Sequence, residues 1–357
     1  MQRNVGLAPF TTLGLGGEAS YLIRARSITE LWESMQWARE NALPVLFLGG
    51  GSNLVVSDRG FDGLVVCIEL RGMDFRTSGE HTLAEVAAGE LWDDFVTESV
   101  HRNLAGIECL AGIPGSVGAT PIQNVGAYGQ EVSQVIERVD TIRIEDGEAV
   151  SFRASECDFA YRMSRFKREP GLFLITKVVF RLHSGPGQSP RYGELSRALG
   201  EPTPSVDKVR KTVLELRRAK GMVVDGEDPD SRSAGSFFTN PILSHAEAER
   251  VFAEALRIGV VEAVTDVPRY PVSDQECKLP AAWLIEKAGI TKGLKHAGVG
   301  VSTKHTLALI NRGEGSTTEL VELALHIREK VRKVWGVTLE PEPVCVGFAQ
   351  SPFSEST

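Results

Sequence analysis

An apolar run that ends in three consecutive glycines is the feature that most restricts how this chain can fold. Residues 45–57 read VLFLGGGSNLVVS, which is the pattern of a strand, a glycine turn and a second apolar run. A P-loop needs Lys and then Ser or Thr after its last Gly, and no such pair follows Gly51. A Rossmann turn needs a further Gly where Leu54 stands. The loop is predicted to bind a phosphate, and neither of those two folds is indicated.

A second glycine-rich segment, residues 110–131, strengthens this prediction. It reads LAGIPGSVGATPIQNVGAYGQE and contains five glycines and two prolines. Glycine adopts positive φ and permits close backbone approach, so consecutive amides can form a nest for an anion. Two such loops, about 60 residues apart, can hold an extended dinucleotide with help from Ser52, Asn53, Gln123 and Asn124. The pair favours a pyrophosphate cofactor over two ordinary interstrand turns, and it leaves NAD and FAD open.

The rest of the chain predicts an α+β fold of about three parts. Serines at 27, 244 and 316, each followed three residues later by Glu, form capping boxes that mark helix starts. Short β-type runs such as GLVVCIEL and FLITKVVF dominate residues 60–180. A helix at 205–220 is followed by the acidic, turn-forming stretch VVDGEDPDSRSAG, which is interpreted as a hinge or domain boundary.

Composition narrows the class of protein. The 357 residues are 42% hydrophobic, which is typical of a globular protein with two or three domains. A formal net charge of −8 argues against a general nucleic-acid binder, and no run of 18 apolar residues indicates a membrane span. The N-terminus lacks a signal-peptide core, and the five cysteines are scattered, so a cytoplasmic protein without a disulfide framework is expected. The seven histidines show no metal-ligand spacing, and no metal is predicted.

Three later stretches contain residues suited to chemistry. In FAYRMSRFK, Arg162 could hold a carboxylate in a planar fork, or be an exposed Arg at a strand end. In SAGSFFTNP, Ser236 precedes two Phe and is expected in an apolar wall at the start of a helix or turn. Its hydroxyl could donate a proton there. The alternative is an ordinary serine in a turn. No GxSxG elbow supports a hydrolase nucleophile. In TLEPE, Glu340 and Glu342 should point to opposite sides, so that one faces a site and the other is solvated.

Taken together, these stretches resemble one family. TTLGLGG, LGGGSN, AGIPGSVGATPIQNVGAYG, YRMSRFK, RAKGMV, GSFFTNP and LEPE occur in the order and context of the UDP-N-acetylenolpyruvoylglucosamine reductase (MurB) family, over about residues 12–347. The resemblance implies a two-part FAD-binding domain of the non-Rossmann, PCMH/MurB-like type and a C-terminal α+β substrate domain. It implies FAD-binding subdomains at 1–78 and 79–224 and a substrate-binding domain at 225–337. Residues 338–357 are expected to complete the first subdomain.

The reaction implied by the resemblance is NADPH-dependent, FAD-mediated reduction of the enolpyruvyl group of UDP-N-acetylglucosamine enolpyruvate to UDP-N-acetylmuramate, a peptidoglycan precursor. In that family hydride comes from flavin N5. Ser236 matches the residue that donates the proton, and Arg162 and Glu342 match the residues that stabilise the enolate. The implied partners are the UDP-sugar and NADPH, with no nucleic acid, no membrane insertion and a monomeric state.

The resemblance also assigns binding residues. Those assigned to FAD are Gly49, Gly50, Gly51, Ser52, Asn53, Pro114, Gly115, Gly118, Thr120, Gly126 and Tyr128, and those assigned to substrate or NADPH are Tyr192, Arg217, Lys220, Asn240, Tyr270 and Lys278. VPRYPVSDQECKLPAAWLIEKAG resembles the form of the family with an extra tyrosine-bearing loop, in which Tyr270 would fold over the nucleotide diphosphate. Val344 stands two places after Glu342, where the family often has a basic residue. That contact is either missing or supplied by Lys278 or Lys295.

Two other interpretations compete with this one. An FAD oxidoreductase of the same flavin fold could act on a hydroxy acid or alcohol, but GSFFTNP and LEPE argue against it, and no His stands in a glycine-rich loop for covalent flavin attachment. A flavin- or sugar-nucleotide-binding regulator would be expected to lose at least one of Arg162, Ser236 and Glu342. All three are present.

Overall fold

The computed structural model describes residues 1–187 and 193–354 and has mixed helix and strand content. Its strands are β1 Gln2–Gly6, β2 Glu18–Ala25, β3 Val45–Leu48, β4 Leu54–Val56, β5 Phe61–Ile68, β6 Met73–Ser78, β7 His81–Ala87, β8 Leu104–Ala105, β9 Gly126–Ala127, β10 Gln130–Glu131, β11 Ile136–Arg143, β12 Ala149–Arg153, β13 Phe173–Ser184, β14 Ser233–Ser236, β15 Ile242–Ser244, β16 Tyr270–Pro271, β17 Glu276–Lys278, β18 Lys295–His296, β19 Val299–Val301, β20 Ala308–Asn311 and β21 Val344–Val346. Its helices are α1 Ile28–Glu40, α2 Trp92–His101, α3 Arg165–Arg168, α4 Gly193–Leu199, α5 Val206–Ala219, α6 His245–Arg257, α7 Ala281–Lys287 and α8 Thr317–Trp335.

These elements form two compact units, each assembled from separate segments of the chain. The first unit contains Met1–Gly6, Glu18–Gly51 and Phe61–Val224, and the second contains Leu7–Gly17, Ser52–Gly60 and the described residues from Asp225 onward. The division after Val224 falls inside the stretch that the sequence marks as a hinge or boundary. The C-terminal segment lies in the second unit and not with the bulk of residues 1–78, because β21 pairs in parallel with β4 there. The roles of these parts as flavin and substrate domains stay predictions.

The first unit is built on two larger sheets. One has the strand order β1-β2-β5-β3, in which β2, β5 and β3 run parallel. The other is antiparallel, with the order β12-β11-β13-β7-β6 and β8 beside β13. Leu31, Met35 and Ala38 of α1 lie in a buried cluster with residues of β5, and Trp92 and Phe95 of α2 lie in a second cluster with β7 and β13.

The second unit contains smaller sheets and the longest helix. Its sheets have the orders β14-β20-β19-β18 and β15-β17-β16, together with the β21-β4 pair. One buried cluster joins these strands to α6, α7 and α8, and it includes Leu320, Leu323, Ile327 and Val331 on one face of α8. Among the described residues no helix is both long enough and apolar enough to cross a membrane.

The helix starts predicted from the capping boxes are confirmed. The hydroxyls of Ser27, Ser244 and Ser316 accept hydrogen bonds from the amide of the Glu three residues later, at 3.1, 3.4 and 3.2 Å. Helices α1, α6 and α8 begin at the next residue in each case. Each bond satisfies one of the amides that a helix start leaves without an intrahelical partner, which is why this local pattern predicts the boundary.

Asp58 holds the segment after the first glycine loop against the start of α8. Its carboxylate accepts hydrogen bonds from the amides of Thr317 and Thr318, both at 2.8 Å, and from the Thr318 hydroxyl at 2.6 Å. Burial alone would raise the pKa of the Asp58 carboxyl, but these hydrogen bonds outweigh it and lower that pKa. The ionised form is also favoured by the positive end of the helix dipole.

We therefore expect Asp58→Asn to lower the free energy of unfolding by about 1 kcal/mol at pH 7. Because the folded-state pKa is lowered, this stabilisation is present above the unfolded value of about 4 and is lost as the pH falls through the lowered folded value. Thermal unfolding of both proteins between pH 3 and pH 8 measures the difference, which should be constant above about pH 5 and shrink in acid. Asp62→Asn, an exposed acid in the next strand, is the control. A difference that grew in acid would contradict the assignment.

Candidate functional site

The two glycine-rich loops lie side by side in the first unit. A Cβ atom added to Gly50 would stand 2.6 Å from the Cα of Gly115, and one added to Gly49 would stand 2.4 Å from the Oγ of Ser116. Carbon atoms in contact are normally about 3.5–4.0 Å apart, so a side chain at Gly50 would displace the other loop. Gly51 then turns the chain with φ of 61°, in the left-handed region that favours glycine.

The backbone amides of these loops differ in what they bind. Those of Val117 and Gly118 donate to the carbonyls of Glu90 and Ala88 at 2.8 and 2.9 Å and tie the second loop to the segment after β7, and that of Thr120 donates to the Val117 carbonyl at 3.1 Å within the loop. Within the part of the chain that the structure describes, the amides of residues 49–51 and of Ser116 donate to no backbone carbonyl. Gly51 and Ser116 are buried, and a buried amide needs an acceptor, whereas Gly49 and Gly50 are exposed to a ligand; an anion such as a pyrophosphate could accept from all of these amides.

Gly118 and Thr120, which the sequence assigns to cofactor binding, have structural contacts of their own. A Cβ atom on Gly118 would lie 2.5 Å from the Cβ of Ala88, the residue after β7. Only glycine therefore lets the loop pack so closely there. The Thr120 hydroxyl is buried and donates to the Val117 carbonyl at 2.8 Å. These contacts account for both residue types without a ligand, and their contact with a flavin stays a prediction.

Gly126 and Tyr128 lie on a tight hairpin of the second glycine segment. Strands β9 and β10 pair around Tyr128 and Gly129, which have φ of 50° and 86°. Positive φ at both central positions is the geometry of a two-residue hairpin turn. The Gly126 carbonyl accepts a hydrogen bond at 2.9 Å from Nη2 of Arg162, which joins this hairpin to the predicted carboxylate-binding arginine.

Arg162 itself stands at a strained turn. Ala160 and Met163 exchange two backbone hydrogen bonds around it, and Arg162 has φ of 52°. A left-handed conformation at a non-glycine residue costs of order 1 kcal/mol or more, and such strain clusters at functional sites. The residue is half-buried, so the alternative of an exposed Arg at a strand end does not describe it.

Two buried side chains lock this turn to the second glycine segment. Asn124 donates to the Ala160 carbonyl at 3.1 Å, and the Ser164 hydroxyl donates to the Ile122 carbonyl at 2.6 Å. Both side chains are almost fully buried. Asn124 and Ser164 therefore impose the strained conformation of Arg162. They lie in the PIQN and YRMS motifs, but the sequence did not indicate this role for them.

Two further basic residues lie at the end of α5. Arg217 is half-buried, and this desolvation lowers the pKa of its guanidinium, whose Nη2 donates to the Met222 carbonyl at 2.8 Å. Its Nε has no hydrogen-bond partner among the described residues. The Lys220 ammonium pairs with Glu194 at 2.5 Å and lies 5.8 Å from the centre of the Tyr128 ring. A phosphate at Lys220 would thus compete with a carboxylate. Tyr192, also predicted to bind substrate, lies outside the described residues.

In the second unit, an antiparallel contact brings the segments of Ser236 and Glu342 together. The Glu342 amide donates to the Phe237 carbonyl at 2.9 Å, and the Thr239 amide donates to the Glu340 carbonyl at 3.0 Å. Phe238 faces Pro341 in the bridge between them. Two of the three predicted catalytic residues are thus neighbours across one pair of segments, whereas Arg162 belongs to the first unit.

The local structure at Ser236 differs from the expectation. Ser236 is the last residue of β14, paired with Ala308 of β20, and not the start of a helix or turn. Gly235, with φ of 73°, breaks the regular register of this pair, and the sequence pattern SAGS gave no strand periodicity for that reason. The predicted apolar wall is present, because Phe237 and Phe238 are each 1% exposed.

The two glutamates of TLEPE have different surroundings, as their alternation predicts. The Glu340 side chain is exposed and its nearest cation is Arg328, at 3.4 Å. Glu342 is half-buried and its backbone is held by hydrogen bonds at both its amide and its carbonyl. Of the two, Glu342 is therefore the one with the fixed position that a site residue needs.

The remaining predicted substrate residues lie around the three-stranded sheet. Asn240 accepts a hydrogen bond from the Ala281 amide at 2.9 Å through its side-chain oxygen and so caps α7. Lys278 is directly opposite both Ile242 and Tyr270 in the ladder of β15, β17 and β16, so these three side chains share one face of the sheet. Tyr270 is 44% exposed, which is unusual for an aromatic residue that serves only the core.

Comparison with known proteins identifies the family. The family model of the UDP-N-acetylenolpyruvoylglucosamine reductase C-terminal domain matches residues 228–346, and that of an FAD binding domain matches residues 19–153. The UDP-N-acetylenolpyruvoylglucosamine reductase of Streptomyces coelicolor is 48% identical over 96% of this chain and 89% of its own. That of Thermobifida fusca is 47% identical over 97% and 98%. The chain belongs to the UDP-N-acetylenolpyruvoylglucosamine reductase family.

The solved structure of the Thermus caldophilus member of this family shares the fold. It superposes with a TM-score of 0.66 at 24% identity and covers 96% of this chain and 98% of its own. Together with the flavin-domain match, this confirms the predicted α+β class with a PCMH/MurB-like FAD-binding domain. The protein is an FAD-dependent oxidoreductase, and the predicted cofactor FAD is confirmed by the match to an FAD binding domain, whereas the use of NADPH stays a prediction. The monomeric state, the cytoplasmic location and the tyrosine-loop form stay predictions.

The close contact between the two glycine loops predicts the effect of a substitution at Gly50 on stability and on flavin binding. Gly50→Ala should lower the free energy of unfolding by about 1–3 kcal/mol even in protein stripped of FAD, because the new methyl group meets the backbone of Gly115. Flavin occupancy should fall with it, since the loop that is predicted to hold the cofactor is displaced. Thermal unfolding of apoprotein and the ratio of flavin to protein absorbance measure the two effects.

Gly6→Ala is the matched control for this substitution. Gly6 lies in the same unit, and a Cβ atom there would meet nothing within 4 Å, so both measurements should stay at wild-type values. If Gly50→Ala lost FAD while its apoprotein kept wild-type stability, Gly50 would matter only for flavin binding. The contact between the loops would then contribute nothing to the free energy of unfolding.

Proposed function

We propose that this protein reduces the enolpyruvyl group of UDP-N-acetylglucosamine enolpyruvate with NADPH and bound FAD, giving UDP-N-acetylmuramate for peptidoglycan synthesis. The observation that carries the proposal is the antiparallel contact that sets Ser236 and Glu342 on neighbouring segments of the second unit. Those two segments contain the GSFFTNP and LEPE motifs by which the sequence resembles the reductase family.

The residues of the glycine loops fit a flavin dinucleotide. The amides of residues 49–51 and Ser116 supply donors for a pyrophosphate, and glycine at 50 and 115 lets the two loops approach closely enough to present these donors together. FAD bound in this way supplies a hydride for the terminal carbon of the enolpyruvyl alkene. The remaining chemistry belongs to side chains of the protein.

Arg162 is assigned to the substrate carboxylate. Addition of hydride to the alkene places negative charge on the neighbouring carbon, from which it spreads into the carboxylate as an enolate. A guanidinium that is fixed before the reaction can stabilise such charge by about 3–4 kcal/mol, because it needs no reorganisation as the charge develops. The locked turn around Arg162 supports this role, since it holds the base of the side chain in one conformation.

Ser236 and Glu342 are assigned to the proton and to the other side of the enolate. Ser236 donates its hydroxyl proton to the enolate carbon and completes the reduced lactyl group. Glu342 stabilises the enolate by a hydrogen bond that its protonated carboxyl donates. The buried Phe237 and Phe238 beside Ser236 limit water access, and an O–H donor in such surroundings interacts more strongly with a developing charge than it would in water.

The basic residues of α5 are assigned to phosphate groups of substrate and NADPH. Arg217 is half-buried, and a phosphate would compensate the charge that partial burial disfavours. Lys220 is already paired with Glu194, so phosphate binding there requires that this pair open. Both ligands carry a pyrophosphate, and their use of the same basic groups at different times fits a reaction with two half-reactions.

The proposed function is tested by product analysis of the FAD-loaded enzyme. In the absence of oxygen, NADPH beyond the one equivalent that reduces the flavin should be consumed only in the presence of the enolpyruvyl nucleotide sugar, and mass spectrometry should find a product that has gained two hydrogen atoms. Turnover of simple hydroxy acids or alcohols, with none of the nucleotide sugar, would instead support an oxidase of the same flavin fold.

Tyr270 is expected to close on the bound substrate and not to stabilise the free protein. Tyr270→Ala should raise KM for the nucleotide sugar by roughly tenfold, the equivalent of about 1.4 kcal/mol, and leave the thermal unfolding midpoint of the free enzyme nearly unchanged because the ring is largely exposed. Val272→Ala, an exposed apolar residue two places on, is the control and should leave KM unchanged. A large loss of thermal stability in Tyr270→Ala would show instead that the ring anchors the fold.

A further inference from the structure

Asn53 connects the end of the first glycine loop to Glu342 by two hydrogen bonds. Its side-chain Nδ2 donates to the Glu342 carbonyl at 3.3 Å, and its own carbonyl accepts from the Val344 amide at 2.9 Å. The two bonds reach the residues on either side of Pro343, and directly after them β4 and β21 continue as a parallel pair. All of these residues belong to the second unit.

A second hydrogen bond to the Glu342 backbone comes from the main chain. Its amide donates to the Phe237 carbonyl at 2.9 Å, a bond that no side-chain substitution removes. Pro341 and Pro343 restrict the dihedral angles of the residues before them, which keeps the segment extended. The bond from Asn53 adds a side-chain contact at the Glu342 carbonyl.

We propose that Asn53 is a positioning residue for Glu342, in addition to any contact it makes with the cofactor. This inference rests on the catalytic role proposed for Glu342. A carbonyl held by the Asn53 side chain sets the plane of the Glu342 peptide and with it the direction of the carboxyl. Asn53, at the end of the loop proposed to bind the pyrophosphate, thus also supports the residue proposed to stabilise the enolate.

The role predicts a specific kinetic defect. Reduction of the flavin by NADPH needs no enolate stabilisation, whereas its reoxidation by the enolpyruvyl sugar does. Asn53→Ala should therefore slow reoxidation by roughly 10- to 100-fold per bound flavin, since a small misplacement of a catalytic group has effects of this size. Reduction by NADPH reports any disturbance of the flavin site itself and should slow much less than reoxidation does. The FAD-loaded protein is used, so that flavin lost during purification does not enter the rates.

A double-mutant cycle with Glu342→Gln separates positioning from every other role of Asn53. Glutamine keeps the backbone carbonyl and the size of the side chain but removes the ionisable carboxyl. If Asn53 acts through Glu342, Asn53→Ala should slow reoxidation in the wild-type background and have little further effect in the Glu342→Gln background. Asn53→Asp, which has the same shape and lacks the Nδ2 donor, should slow reoxidation as Asn53→Ala does.

Each other outcome has a definite meaning. Equal slowing by Asn53→Ala in both backgrounds, equal slowing of both half-reactions, or wild-type rates in the single variant would overturn the positioning role. A Glu342→Gln enzyme with wild-type reoxidation would remove Glu342 from the proposed mechanism, and the inference about Asn53 would fall with it. That failure is recognisable because it appears in the single Glu342 variant, before Asn53 is changed.

Discussion

Replacement of Ser236 by Ala should slow reoxidation of the reduced flavin by the enolpyruvyl nucleotide sugar by about 10²–10⁴-fold, the range typical of general acid catalysis. The reason is that hydride addition creates an enolate, which must then receive a proton. Reduction of the flavin by NADPH places no proton on a substrate carbon and should stay close to the wild-type rate. Rapid-mixing absorbance at the flavin band measures both half-reactions on one sample.

Two variants control this experiment. Ser236→Cys keeps a transferable proton and should recover part of the rate of reoxidation. Ser233→Ala removes the other serine of β14, whose Oγ accepts a hydrogen bond from the Gly235 amide at 3.2 Å, and should leave both half-reactions near wild type. Equal slowing of both half-reactions by Ser236→Ala would mean that the substitution only disturbs the flavin pocket. An unchanged reoxidation rate would leave Glu342 or a water molecule as the acid.

The second large effect is expected at the C-terminal end of the chain. Phe353 is 5% exposed, its ring centre lies 5.9 Å from that of Phe237, and its carbonyl accepts a hydrogen bond at 2.6 Å from Nη1 of Arg328. Phe353→Ala should lower the free energy of unfolding of the second unit by about 3–5 kcal/mol, because it leaves a cavity behind the wall that carries Ser236. Denaturant unfolding followed by tryptophan fluorescence measures the loss, since Trp335 lies in the same buried cluster.

Phe353→Leu is the matched control for the cavity. It keeps an apolar side chain of similar size and should cost less than about 1.5 kcal/mol. Because Phe237 directly follows Ser236, Phe353→Ala should also slow reoxidation of the flavin at temperatures where the protein stays folded. A loss below about 1 kcal/mol in Phe353→Ala would show that the C-terminal segment lies on the surface and does not support the wall.

The sequence predicted those features that depend on local chemistry. A capping serine and its glutamate satisfy amides within one turn of helix, so the starts of α1, α6 and α8 could be assigned from four residues each. The glycine loops could be recognised because their backbone conformations and close approach exclude other residues, as the contact of Gly50 with Gly115 shows. The resemblance of seven ordered motifs then indicated the family, which the comparisons confirm.

Features that depend on distant contacts were not predictable from the sequence. Each compact unit is assembled from separate segments, and the C-terminal segment belongs to the second unit through distant contacts such as the pairing of β4 with β21 and that of Phe238 with Pro341. The bond from Asn53 to Glu342 joins residues 289 positions apart, and no local pattern marks it. Phe353 stands in a short polar stretch without periodicity, so its burial against Phe237 follows only from the folded structure.

The most direct test of the central claim is an anaerobic rapid-mixing experiment on the purified, FAD-reconstituted wild-type protein. NADPH should bleach the flavin absorbance, and subsequent mixing with the enolpyruvyl nucleotide sugar should restore it in a single turnover with formation of UDP-N-acetylmuramate. The account would be contradicted by a protein that stays colourless after incubation with FAD. It would be contradicted equally by a flavin that NADPH reduces and the enolpyruvyl sugar fails to reoxidise.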